Sequence, residues 1–357
     1  MLFRSNVDDT GDTVANSGTL SANELTGLGM TAGIGYSSVE TLNVSLGSGD
    51  DTFTIASTNV ATTTTLTTNG GADTVTIEST SGTTTVDTNG GSDTVNVRAI
   101  GGATAINTGA DADTVNVGST APNTSGTVNA IAARLTLDAG SGSDTLNVDD
   151  TGDTAANSGT LSATEITGLG MTAGIGYASV ETLGIDLGSG SDTFTIASTN
   201  AGTASTLTTN GGDDTVTIDS TAGTTTVNTN GGADTVHIKG TGGSTTVNTG
   251  DDADTVNVQA IGAATAVNTG AAADTINVGS LAPSTAGTVN AISARLTLDA
   301  GTGTDTLTVD DTGDSAANTG TLTASEITGL GMTAGIGYAN TETLNINLGS
   351  EIGRAHV

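Results

Sequence analysis

The chain has no cysteine and no tryptophan, and only three phenylalanines, three tyrosines and two prolines among 357 residues. Without Cys there is no disulfide framework and no thiol nucleophile. So few large side chains cannot fill an ordinary globular core, yet 34% of the residues are apolar, which is not the composition of a disordered chain either. Basic residues are equally scarce: six Lys and Arg stand against 38 Asp and Glu, a formal net charge of -32. That field repels nucleic acid and anionic membrane surfaces, and it makes a cation the natural partner. No run of 18 apolar residues occurs, so no membrane insertion by a helix is expected.

What the chain does have is a short unit that returns. Asp73-Thr-Val-Thr-Ile77 follows Asn69-Gly-Gly-Ala72 and recurs from Asp93 and Asp113, then from Asp214, Asp234, Asp254 and Asp274, in steps of twenty residues. A fixed period near twenty marks a solenoid, in which one coil cannot bury its apolar side alone. Within a coil, Thr74-Val-Thr-Ile77 alternates apolar and polar residues, the period of a strand with one buried face. A Gly-containing bend and a second alternating segment, Thr83-Thr-Thr-Val-Asp-Thr88, complete it. The expected fold is all-β, a right-handed parallel β-solenoid (β-helix or β-roll) with coils of about 20 residues. Val75, Val95 and Val115 should form one inward row and Ile77, Val97 and Val117 the next, faced by Val86 and Ile106. Immunoglobulin-like domains would need units near 100 residues and do not fit this period.

Longer cassettes start near residues 7, 148 and 309, and the 20-residue coils fill about 51–117 and 192–278. The cassette offsets, 141 and 161 residues, differ by one coil, as expected if a solenoid changes length by whole coils. Two wider intervals, Asp113 to Asp144 and Asp274 to Asp305, hold the two prolines, Pro122 and Pro283. Pro cannot donate to a ladder, so both are expected to be loops bulging from the stack. The ends look foreign: Leu2-Phe-Arg-Ser5 and Glu351-Ile-Gly-Arg-Ala-His-Val357 read as translations of sequencing adapters. The genuine polypeptide is therefore expected to be a single repetitive solenoid over 6–350, cut from a larger reading frame.

At the cassette ends the turns are richer in glycine: Leu46-Gly-Ser-Gly-Asp-Asp51, Ala139-Gly-Ser-Gly-Ser-Asp144, Leu187-Gly-Ser-Gly-Ser-Asp192 and Ala300-Gly-Thr-Gly-Thr-Asp305. These resemble the calcium-binding nonapeptide of repeats-in-toxin (RTX) β-rolls, differing at its first glycine. The resemblance implies Ca2+ at Asp51, Asp144, Asp192 and Asp305, and in more degenerate turns at Asp73, Asp93, Asp113, Asp214, Asp234, Asp254 and Asp274. The physical reason is independent of the name. Glycines let carbonyl oxygens converge, and Asp supplies the hard anionic oxygen that Ca2+ takes. Asp side chains stacked at ~5 Å would repel by about 0.8 kcal/mol per pair in water, or about 3 kcal/mol at an effective dielectric of 20. A row of divalent ions would reverse that. The alternative is that each Asp caps backbone N–H groups without metal. An RTX roll carries such turns on both edges of the coil, whereas here the other edge is a bland Gly bend.

Other features carry less. The triplets Asp8, Asp9, Asp12; Asp149, Asp150, Asp153; and Asp310, Asp311, Asp314 read as solvated acidic loops. Outward rows such as Thr52 and Thr54, Thr74 and Thr76, Thr94 and Asn96, Thr255 and Asn257 resemble the flat Thr arrays of ice-binding solenoids. His237 interrupts them as a surface variant, and Tyr36, Tyr177 and Tyr338 are expected to pack on Met30, Met171 and Met332. With so little His and every acidic pair repeated, no enzyme is expected. The sequence reads as a calcium-stiffened structural or adhesive stalk of a secreted or cell-surface bacterial protein, touching cell-surface or environmental ligands. An ice-surface binder and a passive repeat region of an exported toxin or enzyme are the alternatives.

Overall fold

The computed structural model describes residues 3–349, so Leu2 and the 351–357 tail lie outside it. Among the described residues there are only strands, turns and bends. The chain forms two compact units, one comprising residues up to Asp153 with Thr164–Asp186, the other Thr154–Ala163 with the chain from Leu187 onward. Each is a parallel β-solenoid.

In the first unit, Thr52–Ile55, Thr74–Ile77, Thr94–Val97, Thr114–Val117, Thr145–Asp149 and Thr182–Asp186 stack in that order as one parallel ladder. Facing it, Thr41–Ser45, Thr63–Thr67, Thr84–Asp87, Thr104–Asn107, Leu135–Asp138 and Ile175–Ala178 form a second. Every coil pairs with its neighbour at identical repeat positions, because a one-residue slip would turn Val inward-to-outward along the whole strand. The inward rows are those expected: Val75, Val95 and Val115, then Ile77, Val97 and Val117, with Val86 and Ile106 opposite, all buried. A further inward row was not anticipated. Thr64, Thr84 and Thr104 are buried in the core, the latter two donating their hydroxyls to the carbonyls of Gly82 and Gly102.

The second unit repeats the plan, with Val216, Val236, Val256 and Ile276 on one side and Val227, Val247 and Val267 on the other. The cassettes add short antiparallel pairs: Ser17–Leu20 with Glu24–Gly27 in the first unit, Gly320–Leu322 with Glu326–Gly329 in the second. The tyrosines close these hairpins. The hydroxyls of Tyr36 and Tyr338 donate to the carbonyls of Ser21 and Thr323, and burial pushes the Tyr177 phenol up to about 12.

The two Pro-containing insertions are less detached than loops bulging from the stack. Val128 and Ile131 are fully buried, and Ile131 bridges Ile100 one coil back. This corrects the reading of the acidic triplets as solvated loops. Asp149 accepts the Gly126 N–H at 2.7 Å and Asp150 the Val128 N–H at 2.9 Å, and Asp310 and Asp311 do the same for Gly287 and Val289. Asp150 and Asp311 are buried. In the first copy Asp8 is exposed.

Candidate functional site: the buried aspartate rows

All eleven candidate aspartates, Asp51, Asp73, Asp93, Asp113, Asp144, Asp192, Asp214, Asp234, Asp254, Asp274 and Asp305, are 3% exposed or less. The reason lies in strand parity: Asp73, Val75 and Ile77 are two apart, so the carboxylate belongs to the inward set. The turn before it is shaped to allow this. Asn69 and Asn89 take positive φ, and Gly71 and Gly91 sit at φ near +117°. A Cβ on Gly91 would meet the Gly71 carbonyl oxygen at 1.8 Å. The turn glycine therefore serves first to let one coil lie on the next.

Inside, the carboxylates are wired to the backbone. Oδ1 of Asp73 accepts the N–H of Asp51, Oδ1 of Asp93 that of Asp73, and Oδ1 of Asp113 that of Asp93, each at 2.8 Å. Oδ1 of Asp144 takes the Asp113 N–H at 2.9 Å. The row begins with the Asn16 N–H on Asp51 and ends where Glu181 accepts the Asp144 N–H at 2.8 Å. In the second unit the series runs from Asn157 through Asp192, Asp214, Asp234, Asp254, Asp274 and Asp305 to Glu342. Phe3, whose N–H meets the Glu40 carboxylate, stands at the position Asp144 and Asp305 hold against Glu181 and Glu342.

The second oxygens are different. Oδ2 of Asp51, Asp73, Asp93, Asp113, Asp144, Asp214, Asp234, Asp254, Asp274 and Asp305 is buried with no hydrogen-bond partner. In the plain 20-residue coils a threonine hydroxyl lies beside each carboxylate, but Thr88 donates its proton onward to the Thr108 carbonyl at 3.0 Å, and Thr108 to that of Ala139. Burial pushes Asp93 and Asp214 up to about 6 and Asp254 up to about 7. The backbone N–H pulls down against it, as would the neighbouring threonine hydroxyl if its proton turned from the next carbonyl to Oδ2, while adjacent aspartates push further up. Asp51, Asp73, Asp113, Asp144, Asp234 and Asp274 are raised for the same first reason, burial.

An anionic oxygen stripped of water and given no donor needs a positive partner, a proton or a cation. Each of these ten coils supplies one such carboxylate, and no group of three or more His, Cys, Asp or Glu converges among the described residues. The six to eight oxygens that Ca2+ takes would thus have to come mainly from carbonyls.

Several participants were missed in the sequence. Thr68, Thr88 and Thr108, with Thr209, Thr229, Thr249 and Thr269, form a fully buried hydroxyl row five residues before each Asp; their shared parity with Val86 was the available signal. Glu181 and Glu342 end the rows, visible as Glu-Thr-Leu where the coils have Asp-Thr-Val. Asp50, Asp111, Asp213 and Asp252 form an outer tier, accepting the turn N–H groups of Ala72, Gly91, Ala233 and Gly232. The positions facing away from the core also form ladders, but Asn96 and Asn257, expected on a solvent-exposed row, are 3% and 1% exposed, a correction to the reading of a continuous open Thr and Asn face. Asn116 donates to Asn96, Asn147 to Asn116, and Asn277 to Asn257, while His237 joins its row through Asn257 at 3.3 Å.

No family model matches the chain, and no curated protein matches it. Among solved structures it is similar to a hyperactive, Ca2+-dependent, β-helical antifreeze protein from an Antarctic bacterium, at 17% identity and a TM-score of 0.28, over 86% of this chain and 84% of that one.

Proposed function

We propose that the chain is a non-enzymatic structural segment of a secreted or cell-surface bacterial repeat protein, a stalk whose coils are fastened through the buried aspartate rows and stiffened by Ca2+. The observation that carries this reading is the row of buried, donorless Oδ2 atoms. Ten such carboxylates are spent on the interior of the stack rather than on an exposed cleft, each left one positive charge short. Asp73, Asp93, Asp113 and their counterparts would hold the ion through Oδ2, with Oδ1 kept on the neighbouring N–H. When bound, calcium would supply the charge that cancels repulsion along the row. Folding would then be coupled to arrival in a calcium-rich exterior.

The test is thermal melting followed by circular dichroism at pH 8, after chelation and with CaCl2 or MgCl2 restored. A melting temperature that rises with calcium and not with magnesium supports the reading. A β-spectrum and melting temperature indifferent to chelator would leave the aspartates as proton-bearing caps of a metal-free stalk.

A second reading rests on the outward face. Thr74, Thr94, Thr114 and Thr145 stand in register on adjacent strands, and the amide row beside them, Asn116 and Asn147 with the buried Asn96 at its end, fixes its own side chains. A regular, pre-ordered hydroxyl and amide surface suits binding to ice or another ordered surface, since little side-chain entropy is left to lose. Thermal hysteresis of the isolated protein, abolished by Thr94→Lys, would favour this reading; its absence would dismiss it.

A further inference from the structure

The second and third cassettes are each covered on one face by the end of a Pro-containing insertion, and the two coverings are nearly identical: residues 126–139 and 287–300 differ only at Ala132 and Ser293. On the second cassette, the N–H groups of Gly126 and Val128 donate to Asp149 and Asp150. Asn129 donates its amide to Asp153 at 3.0 Å, and Arg134 pairs with Glu165. Leu135–Asp138 then runs parallel to Ile175–Ala178 with Leu135 opposite Ile175, and the N–H groups of Leu135 and Ala139 reach the Gly174 and Ala178 carbonyls at 3.3 and 3.1 Å. The third cassette repeats these contacts, with Gly287 and Val289 on Asp310 and Asp311, Asn290 on Asp314, Arg295 on Glu326 and Leu296 opposite Ile336.

The first cassette carries the same receiving groups. Asp8, Asp9, Asp12, Glu24 and Ile34 stand where the second has Asp149, Asp150, Asp153, Glu165 and Ile175, and Ile34–Gly35 pairs antiparallel with Glu24–Gly27 just as Ile175–Ala178 pairs with Glu165–Gly168. Yet Ile34 is 39% exposed, against 0% for Ile175 and Ile336. Among the described residues the Gly33 and Ser37 carbonyls accept no backbone N–H, and Glu24 has no cationic partner. An open strand edge flanked by matched side chains is how a sheet takes up an extended segment, main-chain bonds giving affinity and side chains giving choice. Neither copy of the covering segment within this chain is free to fill it. Leu135–Asp138 is paired on both sides, with Thr104–Asn107 and Ile175–Ala178, and Leu296–Asp299 likewise with Thr265–Asn268 and Ile336–Ala339.

We propose that this face of the first cassette is a docking site for an extended segment of a partner protein with the pattern Gly-Thr-Val-Asn-Ala-Ile-x-Ala-Arg-Leu-Thr-Leu-Asp. Its Leu-Thr-Leu-Asp strand adds in parallel to Ile34–Gly35, with the first Leu over Ile34. Its Arg pairs with Glu24, and the N–H groups ahead of it fall on Asp8 and Asp9. Charge adds selectivity to the strand pairing, because a face of four carboxylates favours a segment that brings an Arg and disfavours an acidic one.

The probe is the acetylated, amidated peptide of residues 126–139, added to the 15N-labelled full chain while backbone amide shifts are followed. Saturable shifts are expected at Asp9, Ile34 and Gly35, and none at the covered counterparts Ile175 and Ile336. Glu24→Gln should weaken the affinity by up to about fivefold, the range of an exposed ion pair, and Ile34→Asn by about tenfold. Both side chains are exposed, so the circular dichroism of these variants should match that of the parent. Charge exchange, Glu24→Arg in the protein with Arg134→Glu in the peptide, should recover the binding that either change alone loses. A scrambled peptide of the same composition should not bind. The site is overturned by the absence of saturable shifts, by equal binding of the scrambled peptide, by no recovery on charge exchange, or by shifts that centre on the edge of Thr343–Leu348 instead. Self-association of the chain that the peptide fails to displace would make a second copy the occupant, and overturns it as well.

Discussion

Asp93 is asked to do two things at once. Its Oδ1 accepts the Asp73 N–H and its Oδ2 has no partner, and the two halves of the side chain predict opposite outcomes for two substitutions. Asp93→Ala strands a buried N–H and should cost about 1–3 kcal/mol. Asp93→Asn keeps the acceptor and removes the charge, so at pH 8 without calcium it should cost little or raise the melting temperature. The same logic gives a pH dependence. A carboxyl raised in the fold above its ordinary value favours the protonated form, so its contribution is fully present below about pH 4. It is lost as pH rises through the folded value, about 6 for Asp93 and Asp214 and about 7 for Asp254. Each unit of rise corresponds to about 1.4 kcal/mol. Without calcium, the protein should therefore melt at a higher temperature at pH 4.5 than at pH 8, contrary to ordinary acid denaturation. A flat or inverted melting profile over that range would show that the row does not bear protons.

At the scale of a coil, the turn is a contact between backbones. Gly91, at φ +116° with its Cβ direction blocked by the Gly71 carbonyl, and Gly90, with nothing within 4 Å, are adjacent glycines with different duties. Gly91→Ala should unseat the coil and lower stability by several kcal/mol, on the order of other strained-backbone substitutions. Gly90→Ala should be tolerated, as Ala110 already is at the bridged position one coil on. Paired urea melts of the two variants check this. The period of twenty and the alternation were enough to place these strands, because identical neighbours leave the register no other choice. The cassettes were harder to read. Their antiparallel hairpins, and the capping of the Pro insertions by Asp149 and Asp150, join positions more than twenty residues apart, and no local pattern announces such a partner.

For each unit as a whole, nearest-neighbour stacking sets the stability. Deleting residues 74–93 removes one whole coil and would bring the Asp73 N–H onto Asp113, the next acceptor in the row. That variant should fold with an unchanged β-spectrum and only a modest loss of melting temperature, about 4 °C for each 1 kcal/mol. Deleting only 74–83 would exchange the two ladders, putting Thr84 where Thr74 pairs, and should abolish cooperative folding. Melting of both variants tests whether the coil is the unit of stability. The basic residues fit the same picture: Arg98 with Glu78 and Lys239 with Asp219 each tie a coil to the next, as surface pairs worth little individually.

By itself the sequence determined the coil, its length, the inward Val and Ile rows and the presence of one acidic residue per coil. These are periodic properties, and a repeat imposes them on every neighbour alike. Only the tertiary structure decided what the acids touch. Parity places Asp73 inward, but that its Oδ1 would be spent on the preceding coil while its Oδ2 stayed bare depends on the distance between stacked backbones. Periodicity reports what every coil shares. What a carboxylate can do is set by the atoms its own coil and the next leave within reach.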